Sequence, residues 1–281
     1  MTVATYAAAQ VLRVLPRTSI TRAVGRLCDA QLPPRVVSAA VKLYVRAYKV
    51  NLDESVVPDG DFPSFDAFFT RTLRDGARPI QGDASAIVSP ADGRLDDLGP
   101  INVGGHFTIK GRDYQIADLV GDPAEVPRYE GGQYAIVYLS PRDYHRVHAP
   151  VAGKVTLIRS LPGDLYPVNS IGEQHVPSLF ATNRRVAIVI DTEAHGRVTV
   201  VMVGAMIVGR ITVSAVDAPD VPLGEHVISP PQIVARGGEI GIFHLGSTAV
   251  IFVEKGKAAP FRRPSSPMVR LGEPLTGERG Q

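Results

Sequence analysis

Apolar side chains recur at helical spacing in the first quarter of the chain and in short β-branched runs through the rest. Val37, Val41, Tyr44 and Tyr48 follow an i, i+4, i+7, i+11 pattern that puts them on one face of a helix. Arg35, Lys42, Arg46 and Lys49 form a second stripe about 100° round the same helix. An earlier helix, capped by Thr18 or Ser19, aligns Ile20, Val24 and Leu27, and Pro33-Pro34 separates the two. Residues 62–73 read as a third helix with Phe65, Phe68, Phe69 and Leu73 on one face. After Arg78-Pro79 the texture changes to runs bounded by Gly, Pro and Asp, at 134–139, 154–158, 186–191, 198–203, 207–213, 239–243 and 248–253. Helices followed by strands predict an α+β protein: N-terminal amphipathic helices, then a mainly antiparallel β-rich core. The tail from Gly256 is rich in Pro, Arg and Gly and is expected on the surface.

Composition narrows the setting. With 281 residues and 44% hydrophobic content, the chain can bury one substantial core or two smaller ones. A single cysteine, Cys28, leaves no intrachain disulfide and favours a reducing compartment. No run reaches the roughly 18–20 apolar residues that span a bilayer, and the start lacks the pattern of a secretory signal. Its Arg-rich opening loosely imitates a mitochondrial transit peptide, a reading ranked second to helices of the folded protein. The net charge of +2 hides an asymmetry: residues 1–50 hold Arg13, Arg17, Arg22, Arg26, Arg35, Lys42, Arg46 and Lys49 against Asp29 alone. Such a basic amphipathic region suits an anionic bilayer surface, where each Lys or Arg contributes about 1 kcal/mol. Helices packed on the core with a solvated basic face fit the pattern equally well. Nucleic acid fits less well, because no base-stacking aromatics beyond a few tyrosines are interleaved with the charges.

Leu245-Gly246-Ser247-Thr248, between two strand-like runs, carries the most pointed chemistry. Gly246 has no Cβ, so its backbone can admit the Ser247 hydroxyl to its own carbonyl. Attack there converts the amide to an ester, β-elimination of the Gly246 carboxylate leaves a dehydroalanine, and its hydrolysis with release of ammonia leaves a carbonyl cap on the new N-terminus. Gly-Ser is also an ordinary turn sequence. A serine hydroxyl needs a base oriented by a carboxylate, and the chain offers Asp92, His148 and Ser247. Asp92 within Pro-Ala-Asp-Gly equally suits a turn, and His148 suits the start of a strand. His145-x-x-His148 invites a metal reading, but further ligands are hard to find: Cys28, His106, His175, His195, His226 and His244 sit in unrelated contexts, so no metal is expected. Gly104-Gly105 lacks a dinucleotide setting and reads as a turn. No lysine stands in a recognisable cofactor motif, which disfavours pyridoxal phosphate.

Ser-Pro-Ala-Asp-Gly (89–93), Tyr-Leu-Ser-Pro-Arg-Asp-Tyr-His-Arg-Val-His-Ala-Pro (138–150) and Leu-Gly-Ser-Thr together resemble the phosphatidylserine decarboxylases, in the bacterial and mitochondrial branch. Phe68-Phe69-Thr70-Arg71, Arg78-Pro79-Ile80, Ile109-Lys110-Gly111, the run Pro162-Gly163-Asp164-Leu165-Tyr166-Pro167-Val168-Asn169 and Val203-Gly204-Ala205 match in the same order. Arg184 departs from the family, which usually carries glutamate there, so any salt bridge of that glutamate is lost or reversed.

The resemblance implies a proenzyme that cuts itself between Gly246 and Ser247. Asp92 would orient His148, His148 would be the base and Ser247 the nucleophile. Ser247 would become a pyruvoyl group, the covalent cofactor, which forms a Schiff base with phosphatidylserine and yields phosphatidylethanolamine and CO₂. His145 would donate the proton to the substrate's α-carbon. Strand geometry would place His145 and His148 on opposite faces, so a turn or helical conformation is expected across 144–148. The implied organisation is a helical membrane-associating region (1–75) and a β-rich catalytic domain (76–281). Cleavage would leave a large chain (1–246) and a small chain (247–281) as a heterodimer or a larger oligomer of it. The expected partner is phosphatidylserine in an anionic membrane, and the location is the cytoplasmic side of the cell membrane, peripherally bound. Arg142, Arg146, Asn169 and Ser170 are candidates for the headgroup. Leu165, Tyr166, Val176, Leu179 and Phe180 form either a lipid-facing loop or core. The competing class is a phosphohistidine-type carrier or binding module, with a β domain like those of lipoyl and sugar-phosphotransferase proteins. There His145 or His148 would take phosphate and the chain would stay whole.

Overall fold

Long valine and isoleucine runs build the centre of the molecule. The structure is a computed structural model and describes residues 15–168, 170–207, 210–246, 248–262 and 266–276. In chain order its strands are β1 (Gly93–Pro100), β2 (His106–Ile109), β3 (Arg112–Gln115), β4 (Gln133–Tyr138), β5 (Arg146–His148), β6 (Gly153–Leu161) and β7 (Arg185–Thr192). They continue with β8 (Gly196–Val203), β9 (Arg210–Val213), β10 (Gly224–Val234), β11 (Glu239–His244), β12 (Thr248–Val253) and β13 (Met268–Val269). Eight form one sheet in the order β10-β6-β7-β8-β12-β4-β1-β13, antiparallel at every step. A second antiparallel sheet, β5-β11-β9, carries the histidine segment, and β2-β3 is a separate hairpin. This is the expected α+β arrangement.

Strands buried on both faces read as unbroken apolar runs, and β12 is such a strand: all six of its residues are buried. It lies between β8 and β4, with Thr248 opposite both Val203 and Tyr138. The β7–β8 hairpin closes with the Thr192–Gly196 pair, and Gly196 takes a positive φ of 61° that favours glycine.

The N-terminal helices are α1 (Arg17–Asp29), α2 (Pro34–Tyr48) and α3 (Phe65–Phe69). Pro34 opens α2, where its missing N–H costs nothing, and Val37 and Val41 enter the core as the spacing predicts. Helix α1 differs from expectation. It starts one residue before Thr18 without a side-chain cap, and its buried residues are Arg17 and Thr21. Leu27 is 62% exposed, because polar anchors rather than the apolar stripe set the helix's rotation. The expected 62–73 helix shortens to α3, capped by Ser64, whose Oγ accepts from the Ala67 N–H. Beyond Thr70 the backbone is taken over by pairing with 54–56, through the Ser55–Leu73 bridge and the Val56 N–H to Thr72 O bond.

One strand lies outside the expected runs, and one expectation is corrected. Edge strand β10 went unpredicted because Pro230-Pro231 argues against a strand. It is tolerated at an edge, where a bulge between Val227 and Gln232 absorbs it. The tail is not a loose surface segment either. Phe261, Val269, Leu271 and Leu275 are buried, and β13 pairs with β1.

Candidate active site

Strand β11 ends at His244, and the chain reaches β12 through Leu245 and Gly246 with φ values of 82° and 33°. Leu245 is a strained placement for a residue with a Cβ. At Gly246 a Cβ would stand 3.1 Å from His145 Nε2, so the position needs glycine for both its backbone angle and its space. Ser247 lies outside the described residues. Thr248 follows it, fully enclosed, with no hydrogen-bond partner for its Oγ1 among the described residues.

His145 is completely buried, and neither ring nitrogen finds a conventional hydrogen-bond partner among the described residues. Its ring lies against Phe69, with centroids 4.0 Å apart. Burial, aided by the positive charge of Arg71 and only partly opposed by the Asp143 backbone, lowers its pKa to about 3. The imidazole is therefore neutral at physiological pH. Arg71, itself buried, is held by Ser55 Oγ at 3.1 Å.

The expected turn across 144–148 is absent. The turn comes earlier, at 141–143, and Arg146–His148 is strand β5. Pairing with β11 keeps this segment extended, so the two histidines serve different sides. His148 Nδ1 lies 2.8 Å from the Gly237 carbonyl. A carbonyl only accepts, so Nδ1 carries the proton and Nε2 accepts from the Tyr144 hydroxyl at 3.2 Å. Burial lowers this histidine's pKa as well.

Asp92 does not hydrogen-bond His148. Its carboxylate accepts from Arg78 Nε at 2.9 and 3.0 Å, from Arg78 Nη2 at 2.6 Å and from the Leu271 backbone N–H at 2.8 Å. Arg78 is braced in turn by Glu54 at 2.8 Å. Asp92 and His148 are still neighbours: the His148 N–H donates to the Pro90 carbonyl at 2.8 Å. Asp92's charge also favours the imidazolium, as the last of several contributions.

A cavity of about 360 Å³ opens beside Gly246, walled by Tyr44, Phe65, Phe69, Leu139, Val168 and Leu245. A second, of about 480 Å³, lies on the far side of Leu245 beneath α1 and contains Arg22, Arg26, Arg210 and His244. Of the headgroup candidates, Arg146 is committed to Glu239 and the Thr70 carbonyl, and Arg142 is exposed beside Asp143. The side chains of Asn169 and Ser170 lie outside what the structure describes. Leu165, Val176, Leu179 and Phe180 are core, and half-buried Tyr166 carries Arg17 3.9 Å over its ring. Arg184 pairs in bidentate fashion with Asp220 at 2.7 and 2.8 Å, the partner that suits its reversed charge.

Sequence reasoning missed Tyr144, Arg78, Gly237 and Leu271 as neighbours of the histidine and the aspartate. Tyr144 and Arg78 lay inside matched motifs. Gly237 and Leu271 act through backbone atoms and leave no signature in side-chain identity.

Comparison with known proteins finds that the family model described as phosphatidylserine decarboxylase matches residues 65–277. A phosphatidylserine decarboxylase proenzyme of Anaeromyxobacter sp. (strain K) is 40% identical over 274 residues, covering 95% of this chain and 96% of that protein. Those of Bordetella avium (strain 197N) and Alcanivorax borkumensis are 39% identical over 268 residues and 40% over 264. They cover 92% and 90% of this chain, and 90% of each relative.

Proposed function

The chain belongs to the phosphatidylserine decarboxylase family, and from that premise we propose how its residues make and use the reacting group. It is a decarboxylase proenzyme that converts phosphatidylserine to phosphatidylethanolamine and CO₂. The phosphohistidine carrier alternative has no support among these relatives.

In self-cleavage, Asp92 holds Arg78 and the Leu271 backbone beside His148. Ser247 attacks the Gly246 carbonyl and His148 takes the hydroxyl proton on Nε2, a transfer that requires a rearrangement, because His148 pairs opposite Glu239 while His145 is the histidine against Gly246. The neutral Nδ1–H tautomer of His148 supports this, because it leaves the Nε2 lone pair as the basic site. Tyr144, now donating to that nitrogen, must turn aside or pass the proton on. The strained Leu245 and left-handed Gly246 support a bond that rearranges readily. The setting fits a pyruvoyl group at position 247: the orphaned His145 nitrogens and Thr248 Oγ1 flank the position, and Gly246 leaves the space open. When formed, that group supplies a carbonyl that captures the substrate amine and draws off the electron pair as CO₂ departs.

His145 then moves one proton in two directions. As a neutral base it takes the proton of the substrate's ammonium, and as an acid it returns a proton to the α-carbon. The substrate carboxylate stabilises the imidazolium while it is present, and its departure makes that proton easier to give up. The apolar cavity beside Gly246 would hold the substrate where a carboxylate is poorly solvated, which favours loss of its charge as CO₂.

Residues 1–75 serve as the membrane-associating region of a peripheral protein on the cytoplasmic face of the cell membrane, and residues 76–281 as the catalytic domain. Exposed Leu27, Val36 and Leu43 beside Arg26, Arg35, Lys42 and Arg46 support that reading. No helix among the described residues is long and apolar enough to cross a membrane. The products of cleavage remain together as a heterodimer of residues 1–246 and 247–281.

The buried, unpartnered His145 imidazole against Gly246 carries this reading. Intact mass tests it. Wild type should give two chains parting at Gly246–Ser247, with a carbonyl that borohydride traps onto phosphatidylserine. Ser247→Ala should give one inactive chain. An active wild-type protein of full length, with no trappable carbonyl, would overturn it.

A further inference from the structure

The C-terminal segment of the prospective small chain reaches back to Asp92. Residues 266–276 are stitched along 81–95: Ser89 N–H to Glu273 O (2.8 Å), Gly272 N–H to Ser89 O (3.1 Å), Leu275 N–H to Ile87 O (2.8 Å) and Leu95 N–H to Pro267 O (2.7 Å). At the middle of this seam the Leu271 N–H donates to Asp92 Oδ1 at 2.8 Å. Leu271 is the second residue of a turn closed by the Glu273 N–H to Arg270 O bond. Gly272 has φ 86° and Leu271 has no positive φ, which makes the turn type II. Arg78 holds the same carboxylate from the other side. Asp92, carried by the large chain, is thus oriented by a backbone donor from beyond the scissile bond.

We infer that the 266–276 segment is a positioning element for Asp92, so that the precursor can cut the Gly246–Ser247 bond only after residues 266–276 have been made and docked. The inference rests on the reading that Asp92 serves self-cleavage. It gives the reaction an order: the strand that must stay bound, β12, and the seam that follows it are in place before the covalent link is lost.

The type II turn supplies a clean test, since its second position favours proline. Leu271→Pro keeps the turn and deletes the donor, whereas Leu271→Ala keeps the donor and deletes the side chain. Cleavage is followed by pulse-chase synthesis and intact mass, with melting temperature measured on Ser247→Ala backgrounds. The expected result is near-normal cleavage in Leu271→Ala and a rate lower by roughly 10- to 100-fold in Leu271→Pro, the range for losing a hydrogen bond to a charged group. If Leu271→Pro does not fold, an α-hydroxy acid analogue of leucine at 271 replaces the amide by an ester and keeps the side chain, with the same slowing expected. Equal rates for the donor-deleted and donor-retaining proteins overturn the inference. A wild-type chain that stays whole, or Asp92→Asn cleaving at the wild-type rate, overturns instead the reading beneath it.

Discussion

The His145 ring is enclosed by Phe69 and Gly246, and a desolvated imidazole resists a second proton. Its pKa near 3 in the folded protein contrasts with about 6.5 in an unfolded chain. Below about pH 6.5 the unfolded state therefore binds a proton that the folded state refuses. This residue costs nothing above pH 7 and destabilises the fold by about 1.4 kcal/mol per pH unit between roughly pH 6 and 4. Urea midpoints of Ser247→Ala should fall more steeply over that range than those of Ser247→Ala/His145→Gln. Equal slopes would mean that the ring is solvated. The same neutrality bears on catalysis: His145→Gln should still cut itself, while decarboxylation of phosphatidylserine by the processed protein falls about 100- to 10,000-fold. Failure to cut would move His145 into the cleavage step.

Among the elements, β7, β8 and β12 were legible because strands buried on both faces read as continuous apolar runs. Edge strand β10 was not, since two prolines mask a pairing that only an edge permits. The tail looked like surface because its composition is polar, yet a few buried residues and a backbone seam suffice to dock it. At the site, the sequence yielded the residue types but not their pairing. Asp92 was expected to face His148, whereas Arg78 and Leu271 hold it and Gly237 holds the ring. Backbone partners follow from tertiary register, which side-chain identity does not encode. Helices α1 and α2 present a basic face that also exposes Leu27 and Leu43 at 62% and 71%. Leu27→Glu/Leu43→Glu should weaken sedimentation with anionic vesicles at least tenfold while leaving self-cleavage intact. Unchanged sedimentation would make those helices a solvated cover.

For the whole molecule, scission turns one chain into two whose association must replace the lost peptide bond. Strand β12 supplies two complete hydrogen-bonded ladders, to β4 and to β8, and buries Val250, Ile251, Phe252 and Val253 fully. Each such side chain contributes about 1.5–3 kcal/mol relative to exposure. The seam at 266–276 adds a second attachment on the far edge of the same sheet, where β13 pairs with β1. Two separated anchors on one sheet mean that neither can dissociate without the other resisting. The processed protein should therefore elute as one species in native buffer and separate only in denaturant. Unfolding of a heterodimer is governed by mass action, so its melting temperature should rise with protein concentration. The uncut Ser247→Ala chain, having nothing to dissociate, should melt at a temperature independent of concentration. A processed protein whose melting is equally indifferent to dilution would show that the small chain contributes little to the fold, and that the large chain holds its sheet without β12.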